Sequence, residues 1–582
     1  MTHPDRIGLS VAAMGAALLL SACAQVPERQ APPAAAVPAA AKAAVAPRVE
    51  PLPAMELTPR ILYQTLIAEI AGQRGDMALS ASAYLELARA TRDPRFARRA
   101  GEIALHARDL EGALTAARLW VGADPDSAQA RQMLASLLVS ANRLDEAFPH
   151  VASVLAQEME QIGEAMLRLN RLFARHPDKA AVLIMVERLT LPYGGIAEAH
   201  FARAQAALNA AAWQRGIAEA AKAVALRPDW EEAVLLKAQL EKPEVPEQAL
   251  ETLRGYLGAY PKAREVRLQY ARNLVGARRY EPARAEFQRL LDAFPDDVDI
   301  IYAVAILSSQ LNDWDVAEAN FRKLLTRDFA DIDAVRLYLG QIAEERKQPA
   351  EAMQWYALVK AGDQHLAARI RTAQLLSRQG RLDEARQQLR DAAAANPAER
   401  MQMVLGEAQL LRDAGQLRAA FDLLDGHLSA QPEQPDLLYE SALLAERIGR
   451  TDLLEARLRT LMRLKPEHAH AYNALGYALA DRNERLDEAQ QLIVRALSFA
   501  PDDPFILDSM GWVLFRRGDN AGALTYLQRA YAIRADAEIA AHLGEVLWLM
   551  DRRGEARRIW REAARATPGN ELLGSVMKRL DP

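Results

Sequence analysis

Small side chains recur along most of the chain with a nearly constant spacing. Each stands within an amphipathic stretch, and neighbouring members of this series are 33 to 35 residues apart. The clear members are all alanines: Ala113, Ala147, Ala249, Ala283, Ala317, Ala352, Ala385, Ala420, Ala489, Ala523 and Ala556. Ser80, Ala181, Gly216 and Leu454 fill the gaps. A mean period of 34 residues predicts tandem helical hairpins, in which each small residue opens the second helix.

Prolines mark the same period at the other end of each hairpin. Eight of them fall twelve residues after a member of the series: Pro228, Pro261, Pro295, Pro397, Pro432, Pro466, Pro501 and Pro568. Because proline lacks an N–H and disfavours helix in the residue before it, it predicts the end of the second helix. Gly476, Gly511 and Gly544 lie twelve or thirteen residues before the small residue, where they predict a close crossing on the first helix.

These spacings predict an all-α fold of the tetratricopeptide-repeat type, a right-handed superhelical solenoid of about fifteen helical hairpins. The solenoid is expected over residues 58–568, with a capping helix over 569–582. Residues 157–199 are the least regular and predict either a distorted hairpin or a bend. Residues 241–246 (EKPEVP) predict a loop.

Composition supports a helical array and excludes other classes. Apolar residues make up 51 % of the chain and aromatic residues only 6 %. The formal net charge is −5, so no clustered basic face indicates nucleic acid as a partner. There is one cysteine, Cys23, which excludes an internal disulfide framework and a cysteine-based zinc site.

The first 22 residues predict an export signal. Arg6 precedes an apolar run from Ile7 to Leu20 that is too short to span a bilayer comfortably. Leu20-Ser21-Ala22-Cys23 resembles the lipobox of bacterial lipoproteins, in which cleavage leaves an acylated cysteine as the first residue. The alternative is ordinary secretion, because the same residues also fit a small-x-small cleavage site. By resemblance, the absence of Asp after the cysteine implies an outer-membrane location with the body in the periplasm.

Residues 23–57 predict a lipidated cysteine followed by a tether rich in proline and alanine. Proline favours extended polyproline geometry over helix. At about 3.1 Å per residue, such a segment reaches roughly 100 Å when fully extended. The expected result is a folded body that stands off the membrane.

No pattern for catalysis or cofactor binding emerges. There is no phosphate-binding loop, no H-E-x-x-H, no G-x-S-x-G and no calcium loop. His468 and His470 form the one close histidine pair, and we interpret them as polar residues at a helix start because no third ligand has a place beside them. The sequence therefore predicts no enzyme activity, no cofactor and no metal.

One surface predicts binding of other proteins. In tetratricopeptide repeats certain positions of the first helix face the groove. When the same positions are counted along the last repeats of this chain, they select a strip of aromatic and charged residues near the C-terminus. They are Tyr439, Asn473, Tyr477, Phe505, Asp508, Trp512, Phe515, Arg516, Glu545 and Trp548. Large rigid rings bury area at low entropic cost and so suit peptide capture. The alternative is that the rings only pack between neighbouring hairpins.

The lipobox, tether and uninterrupted repeats together resemble a known family. Its members are Gram-negative outer-membrane tetratricopeptide-repeat lipoproteins that act as adaptors and activators of a periplasmic carboxyl-terminal processing protease. Stretches that carry the resemblance are AGQRGDMALSASAYLELARATRDPRFARRA (71–100), LYLGQIAEERKQPAEAMQWY (337–356), DSMGWVLF (508–515) and AAHLGEVLW (540–548). The resemblance implies a scaffold that binds the protease and promotes its degradation of peptidoglycan hydrolases.

A second class of function stays open at this point. A lipoprotein cofactor of peptidoglycan synthesis, or of a polysaccharide or pilus export machine, would use the same architecture. An enzyme is the third class, and the sequence contains no constellation that supports it.

Overall fold

The computed structural model describes residues 56–360, 362–392 and 396–581. The predicted signal peptide, Cys23 and most of the predicted tether lie outside these ranges. Within them the secondary structure is helical, with 31 α-helices, two single 3₁₀ turns and no strand. Thirty of these helices pair into fifteen hairpins, which confirms the all-α fold of tetratricopeptide-type hairpins.

The chain divides into two compact units between Asp328 and Phe329. The N-terminal unit contains α1 (Pro59–Gln73), α2 (Met77–Thr91), α3 (Pro94–His106), α4 (Leu110–Ala123), α5 (Ala128–Ser140), α6 (Leu144–Gln157), α7 (Ile162–Phe173), α8 (Lys179–Thr190), α9 (Ala197–Asn209), α10 (Trp213–Leu226), α11 (Glu231–Glu244), α12 (Pro246–Ala259), α13 (Arg264–Gly276), α14 (Tyr280–Ala293), α15 (Val298–Gln310) and α16 (Trp314–Leu324). Odd-numbered helices are the first of each hairpin, and even-numbered helices are the second.

The C-terminal unit continues the numbering. Its helices are α17 (Ile332–Glu345), α18 (Pro349–Ala357), α19 (Gly362–Arg378), α20 (Leu382–Asp391), α21 (Pro397–Asp413), α22 (Leu417–Ala430), α23 (Pro435–Arg447), α24 (Thr451–Leu464), α25 (Ala469–Asp481), α26 (Leu486–Phe499), α27 (Pro504–Arg516), α28 (Asn520–Ile533), α29 (Ala537–Leu549), α30 (Arg553–Ala566) and α31 (Glu571–Leu580). Here too the odd-numbered helices come first in each hairpin, and α31 has no partner helix after it.

Prolines end the second helices as the spacing predicts, with one exception. Seven of the eight stand two residues beyond the last residue of a helix, as Pro501 does after Phe499. Pro397 instead opens α21, where its missing N–H falls among the donors that a helix start leaves unpaired. The predicted loop at 241–246 is wrong for its first part, because α11 runs through Pro243 to Glu244 and only Val245 separates it from α12.

Close helix crossings within a hairpin depend on small side chains at one position of the first helix. A β-carbon added at Gly544 would overlap the indole of Trp560, and one at Gly511 would lie 2.5 Å from Leu527 Cγ. Trp560 is completely buried in this crossing. Since real β-carbons do not approach so closely, glycine lets α27 meet α28 and α29 meet α30 at short range.

The fourth hairpin breaks this rule. Leu169 stands twelve residues before Ala181, at the position where Gly511 stands before Ala523. The two helices of this hairpin, α7 and α8, make little contact with each other, and both pack against α9 instead. The irregularity predicted for residues 157–199 is therefore a hairpin whose two helices have separated around a buried leucine.

A buried polar network holds the end of α8 against α9. Arg203 donates from Nε to the hydroxyl of Thr190 (2.6 Å) and from Nη2 to its carbonyl oxygen (2.7 Å). His200 Nδ1 lies 2.6 Å from Glu219 Oε2, and its Nε2 lies 3.0 Å from the carbonyl oxygen of Gly194. These bonds satisfy polar groups that the separation of α7 and α8 would otherwise leave unpaired.

Helix α31 lies against the last hairpin. The Asn570 side chain accepts a hydrogen bond from the Leu573 N–H (2.9 Å) and so caps its first turn. Leu573 and Val576 are buried in the core that α29 and α30 form. Arg579 donates to Glu545 (2.8 Å) and ties α31 to α29.

Candidate protein-binding groove

The first helices of the C-terminal unit contact one another along the stack. Helix α25 packs on α27, α27 on α29, and α29 on α31, whereas the second helices mainly contact the first helices beside them. A stack curves toward the layer whose members are closest together. The first helices therefore form the inner layer of these hairpins, which is the layer that repeat proteins use for binding.

Six side chains from three of these helices meet in one place, which we call the groove cluster. They are Tyr477 on α25, Asp508, Trp512, Phe515 and Arg516 on α27, and His542 on α29. The phase of the repeats predicted the first five of these residues as groove residues, and the structure brings them together.

His542 is the centre of the groove cluster. Its Nδ1 lies 3.0 Å and 2.9 Å from the two carboxylate oxygens of Asp508. Its ring stacks on the Trp512 ring with centroids 4.2 Å apart, and the Tyr477 ring lies 6.1 Å away. Three hairpins in succession thus contribute to one packed arrangement of rings around a buried charge pair.

The electrostatics of the groove cluster favour a charged imidazole. Burial by itself would lower the pKa of His542, but the Asp508 carboxylate outweighs this effect, with help from Glu538 and Asp481, and raises the pKa above its ordinary value. Burial, together with the acidic groups at Asp481 and Asp508, raises the pKa of Tyr477 well above its ordinary value. The surroundings of His542 therefore favour its protonated form, and Tyr477 stays a neutral phenol.

Several polar atoms along this surface have no hydrogen-bond partner. The indole N–H of Trp512, Nε of Arg516 and Oδ1 of Asn473 are shielded from solvent and unpaired. Arg516 uses Nη2 to donate to the carbonyl oxygen of Asp481 (3.0 Å). An unpaired buried polar group costs free energy, so a ligand that satisfies it gains correspondingly.

The other predicted groove residues lie elsewhere and make other contacts. Tyr439 packs against His468 with ring centroids 5.3 Å apart, and Phe505 lies under the guanidinium of Arg534. Glu545 binds Arg579 of α31. Trp548 stacks on Trp560 within its own hairpin, with centroids 5.7 Å apart. Trp548 therefore packs within its own hairpin, and Glu545 joins its hairpin to α31.

The phase of the repeats did not select His542, although it is central to the groove cluster. It stands three residues before Glu545, the first groove residue predicted in the last hairpin, and immediately ahead of Leu543-Gly544. A signal was available in the sequence, because a histidine interrupts the apolar run from Ile539 to Leu543 and lies 34 residues after Asp508. A charged pair at one repeat spacing indicates contact between neighbouring hairpins.

Neither a metal site nor a membrane-spanning helix is found among the described residues. No group of three or more histidine, cysteine, aspartate or glutamate side chains there is arranged to hold a metal ion. His468 caps α25 by accepting from the Ala471 N–H (3.2 Å), as expected for a residue at a helix start. In the same ranges no helix is both long and apolar enough to cross a bilayer.

Comparison with known proteins identifies the repeat. Models of the tetratricopeptide repeat match residues 65–128, 246–307, 302–367, 370–435 and 439–504. A tetratricopeptide repeat-containing protein of Pseudomonas aeruginosa is 34% identical over 487 residues, which cover 83% of this chain and 82% of that protein. This chain belongs to the tetratricopeptide repeat family. Its role as a scaffold for protein interactions follows from the repeats themselves.

Other tetratricopeptide matches cover less of the proteins concerned. Cellulose synthase operon protein C of Pseudomonas fluorescens is 34% identical over 27% of this chain and 13% of its own length. Cellulose synthase 2 operon protein C of Komagataeibacter xylinus is 29% identical over 42% of this chain and 20% of its own length. Both matches therefore concern some of the repeats of much longer proteins.

Solved structures superpose only loosely on this tetratricopeptide chain. A tetratricopeptide repeat protein from Parabacteroides merdae covers 42% of this chain with 97% of its own, at 16% identity and a TM-score of 0.35. The structure of Naa15/Naa10 bound to HypK-THB covers 90% of this chain with 96% of the matched chain, at 12% identity and a TM-score of 0.32.

Proposed function

We propose that this protein is a membrane-anchored scaffold that binds a periplasmic carboxyl-terminal processing protease and promotes its action on cell-wall hydrolases. The observation that supports binding is the groove cluster, in which rigid aromatic rings and unpaired polar atoms lie on the inner layer of three successive hairpins. The resemblance of the whole chain to the lipoprotein adaptors of such proteases supports the choice of partner.

The scaffold would act by proximity. A protein that holds a protease and its substrate together converts their encounter into an intramolecular event, with an effective concentration in the millimolar range for short connections. None of this requires catalytic groups on the scaffold. The adaptor is therefore expected to raise the rate of cleavage by the protease and to have no hydrolase activity when the protease is absent.

The first experiment identifies the partner. The full chain carrying Cys23→Ser serves as bait in solubilised envelopes, and mass spectrometry identifies the proteins that it retains. The adaptor function predicts that a carboxyl-terminal processing protease is retained and that its cleavage of a hydrolase substrate accelerates when bait is added. Retention of other envelope proteins without the protease would contradict the choice of partner and leave the scaffold role in place.

A conservative change tests whether the groove cluster is the contact. Trp512→Phe keeps a ring but removes the indole N–H, which has no partner in the free protein. Binding of the retained protein should weaken about tenfold if the indole contributes to the contact, and hydrogen exchange over α27 to α29 reports any change in folding caused by the smaller ring. Tyr260→Ala, which changes an aromatic residue on the N-terminal unit that is 38% exposed, is the matched control. Equal binding by wild type and Trp512→Phe would exclude this donor from the contact.

The anchor is part of the same proposal. Acylation of Cys23 would hold the protein on the outer membrane through several acyl chains, since each buried methylene contributes about 0.8 kcal/mol. Cells fed a labelled fatty acid should incorporate it into wild-type protein and not into Cys23→Ser. Release of unlabelled wild-type protein into the soluble periplasm would instead support ordinary secretion.

A second candidate function is supported by the cellulose-related matches. Three relatives are named as protein C of a cellulose synthase or cellulose synthase 2 operon, and each is similar to part of this chain. A scaffold for polysaccharide export would retain synthase or export proteins in the same bait experiment. Because those matches cover at most 42% of this chain, we rank this function below the protease adaptor.

A further inference from the structure

Helix α1 is apolar on two opposite sides. On its inner side Ala68 and Ala71 are buried where α1 packs on α2, and the Ser80 hydroxyl of α2 donates to the carbonyl oxygen of Ala68 (2.7 Å). On its outer side Leu62, Leu66 and Ile70 are 49%, 51% and 46% exposed. A helix that is apolar all round is normally covered on both sides, so the outer side of α1 indicates an interaction surface.

Exposed apolar side chains are concentrated on this one helix. Together with Tyr63, α1 has four large exposed apolar residues, and among the described residues no other helix has more than two. The other end of the chain is built differently, because α31 covers α29 and buries Leu573 and Val576. A terminal hairpin in a repeat array needs such a cover. The outer side of α1 is open to solvent instead.

The exposed residues of α1 form a ridge that is complementary to itself. Leu62, Leu66 and Ile70 are each four residues apart, and the row is about 12 Å long at 1.5 Å per residue. Two helices whose rows of this spacing interdigitate cross at about 50°, which is the commonest packing class in globular proteins. The row is symmetric about Leu66. A two-fold axis through Leu66 would therefore place Leu62 of each copy against Ile70 of the other.

We propose that two copies of this protein associate through the outer sides of their α1 helices, which cross in opposite directions at Leu66. Each α1 then supplies the cover that the other lacks. The contact uses one helix of the first hairpin from each copy and involves none of the groove cluster. It goes beyond the adaptor function and does not depend on the proposed protease partner.

The charges of the first hairpin favour a second copy over a lipid surface. Residues 56–92 contain four arginines and four acidic residues, so neither sign is in excess. Glu69 is the only charged residue between Leu62 and Ile70, and it accepts a hydrogen bond from the Tyr84 hydroxyl. Helices that lie on anionic membranes are instead rich in lysine and arginine. A balanced surface neither repels its own copy nor attracts anionic headgroups.

The size of the exposed side chains favours a second α1 over the segment that precedes it. Residues 24–51 contain no leucine, isoleucine, methionine or aromatic residue. The spaces between three large side chains are filled to the density of a protein interior only by other large side chains. The ridge of a second α1 provides leucine and isoleucine at the matching spacing.

Sedimentation velocity tests the association. The full chain carrying Cys23→Ser is measured at about 1–100 µM. Because one helix from each copy makes a small interface, we expect a dimer with a Kd on the order of 10 µM. Leu62→Gln combined with Leu66→Gln should weaken it at least about tenfold, and exposed glutamines keep the helix. The matched control is Ile184→Gln combined with Val494→Gln, two helical residues that are 53% and 52% exposed, and it should change the Kd less than about twofold.

Cross-linking tests the register. The Cys23→Ser chain contains no cysteine, so one can be placed at will. A disulfide requires two Cα atoms within about 7 Å. Under mild oxidation Leu66→Cys should cross-link to its own copy. Leu62→Cys and Ile70→Cys should cross-link more efficiently when mixed than either does alone. Ile184→Cys reports the rate of random collisions.

Four results would overturn the proposal. The first three are a monomer at every concentration, equal effects of the α1 pair and the control pair, and no cross-linking of Leu66→Cys above the rate of Ile184→Cys. The fourth is a monomer that binds vesicles of phosphatidylethanolamine and phosphatidylglycerol and loses this binding with the α1 pair, which would assign the surface to the membrane. No protease is present in these experiments, so failure of the adaptor function would leave their outcome unchanged.

Discussion

The fourth hairpin and the last hairpin follow the same repeat and pack in opposite ways. In the last hairpin Gly544 lets α29 and α30 meet so closely that Trp560 is completely buried between them. In the fourth hairpin Leu169 occupies the equivalent position, and α7 and α8 separate to pack on α9. The two hairpins thus differ both in the side chain at this position and in whether their helices close on each other. The groove cluster lies on closed hairpins.

The largest loss of stability is expected for Leu169→Ala. Leu169 is 4% exposed, and deletion of a buried leucine side chain costs about 4 kcal/mol through lost burial and a cavity. Hydrogen exchange measured by mass spectrometry should show faster exchange over α7 to α9, and this local readout is needed because repeat arrays do not unfold as one unit. Unchanged exchange would mean that α7 and α8 had closed onto each other, as in a regular hairpin.

Removal of one charge from the buried Asp508–His542 pair should cost somewhat less stability. Asp508→Asn removes the charge that stabilises His542 and should destabilise the α27–α29 contact by about 3 kcal/mol. The loss stays below the full cost of an isolated buried charge because His542 can release its proton. Exchange in α27 and α29 should rise, while exchange in α7 to α9 serves as the internal reference. An equal rise in both regions would show that the effect is not local.

A smaller loss of stability is expected for a change at Gly544 in the last hairpin. Gly544→Ala forces the Trp560 indole to move and should cost about 2 kcal/mol, within the range for overpacked cores. Gly574→Ala in α31 is the matched control, because no atom lies near its added β-carbon. That change should stabilise the helix by about 0.5–1 kcal/mol. Hydrogen exchange should thus accelerate over α29 and α30 in Gly544→Ala and slow over α31 in Gly574→Ala.

The Asp508–His542 pair also predicts a dependence on pH. Because the folded state raises the pKa of His542 above its unfolded value of about 6.5, the stabilisation is fully present below that value. It is lost as pH rises through the folded pKa. Exchange in α27 and α29, corrected for intrinsic rates, should therefore accelerate at alkaline pH. The His542→Gln variant should lack this dependence, and a wild-type region that became more stable with rising pH would contradict the assignment.

The smallest loss of stability is expected when an exposed ion pair between α24 and α26 is removed. Arg485, with Arg459, holds the pKa of Glu455 down to about 2. Glu455 is 27% exposed and Arg485 45% exposed, so solvent screens the pair. Arg485→Ala should cost less than about 1 kcal/mol, and less again in concentrated salt. Arg463→Ala, which changes an exposed arginine of α24 outside this network, is the control for loss of positive charge.

Much of the fold was predictable because the determining interactions are local. A small residue every 34 positions and a proline twelve residues later specify where helices cross and end. The helix ends are confirmed at all these prolines but Pro397, and the close crossing fails at Ala181 in the fourth hairpin. The irregularity of residues 157–199 was predicted, but the separation of α7 and α8 was not. The loop expected at 241–246 was wrong because Pro243 falls in the last turn of α11, where one missing hydrogen bond does not end a helix.

The candidate sites were predictable only in part. The phase of the repeats selected Tyr477, Asp508 and Trp512 correctly as neighbours, because one helix face points into the inner layer. It missed His542, since the register shifts by one residue between the last hairpins and a phase argument cannot follow such a shift. The roles of these residues in binding stay predictions.

The sequence by itself determined the repeat, the all-α class and the ends of most helices, because each depends on residues close together in the chain. Only the tertiary structure decided which polar groups were left without partners. The indole N–H of Trp512, which has no partner among the described residues, depends on how neighbouring hairpins pack around Gly511. That packing is a property of several helices at once, so no single stretch of sequence specifies it.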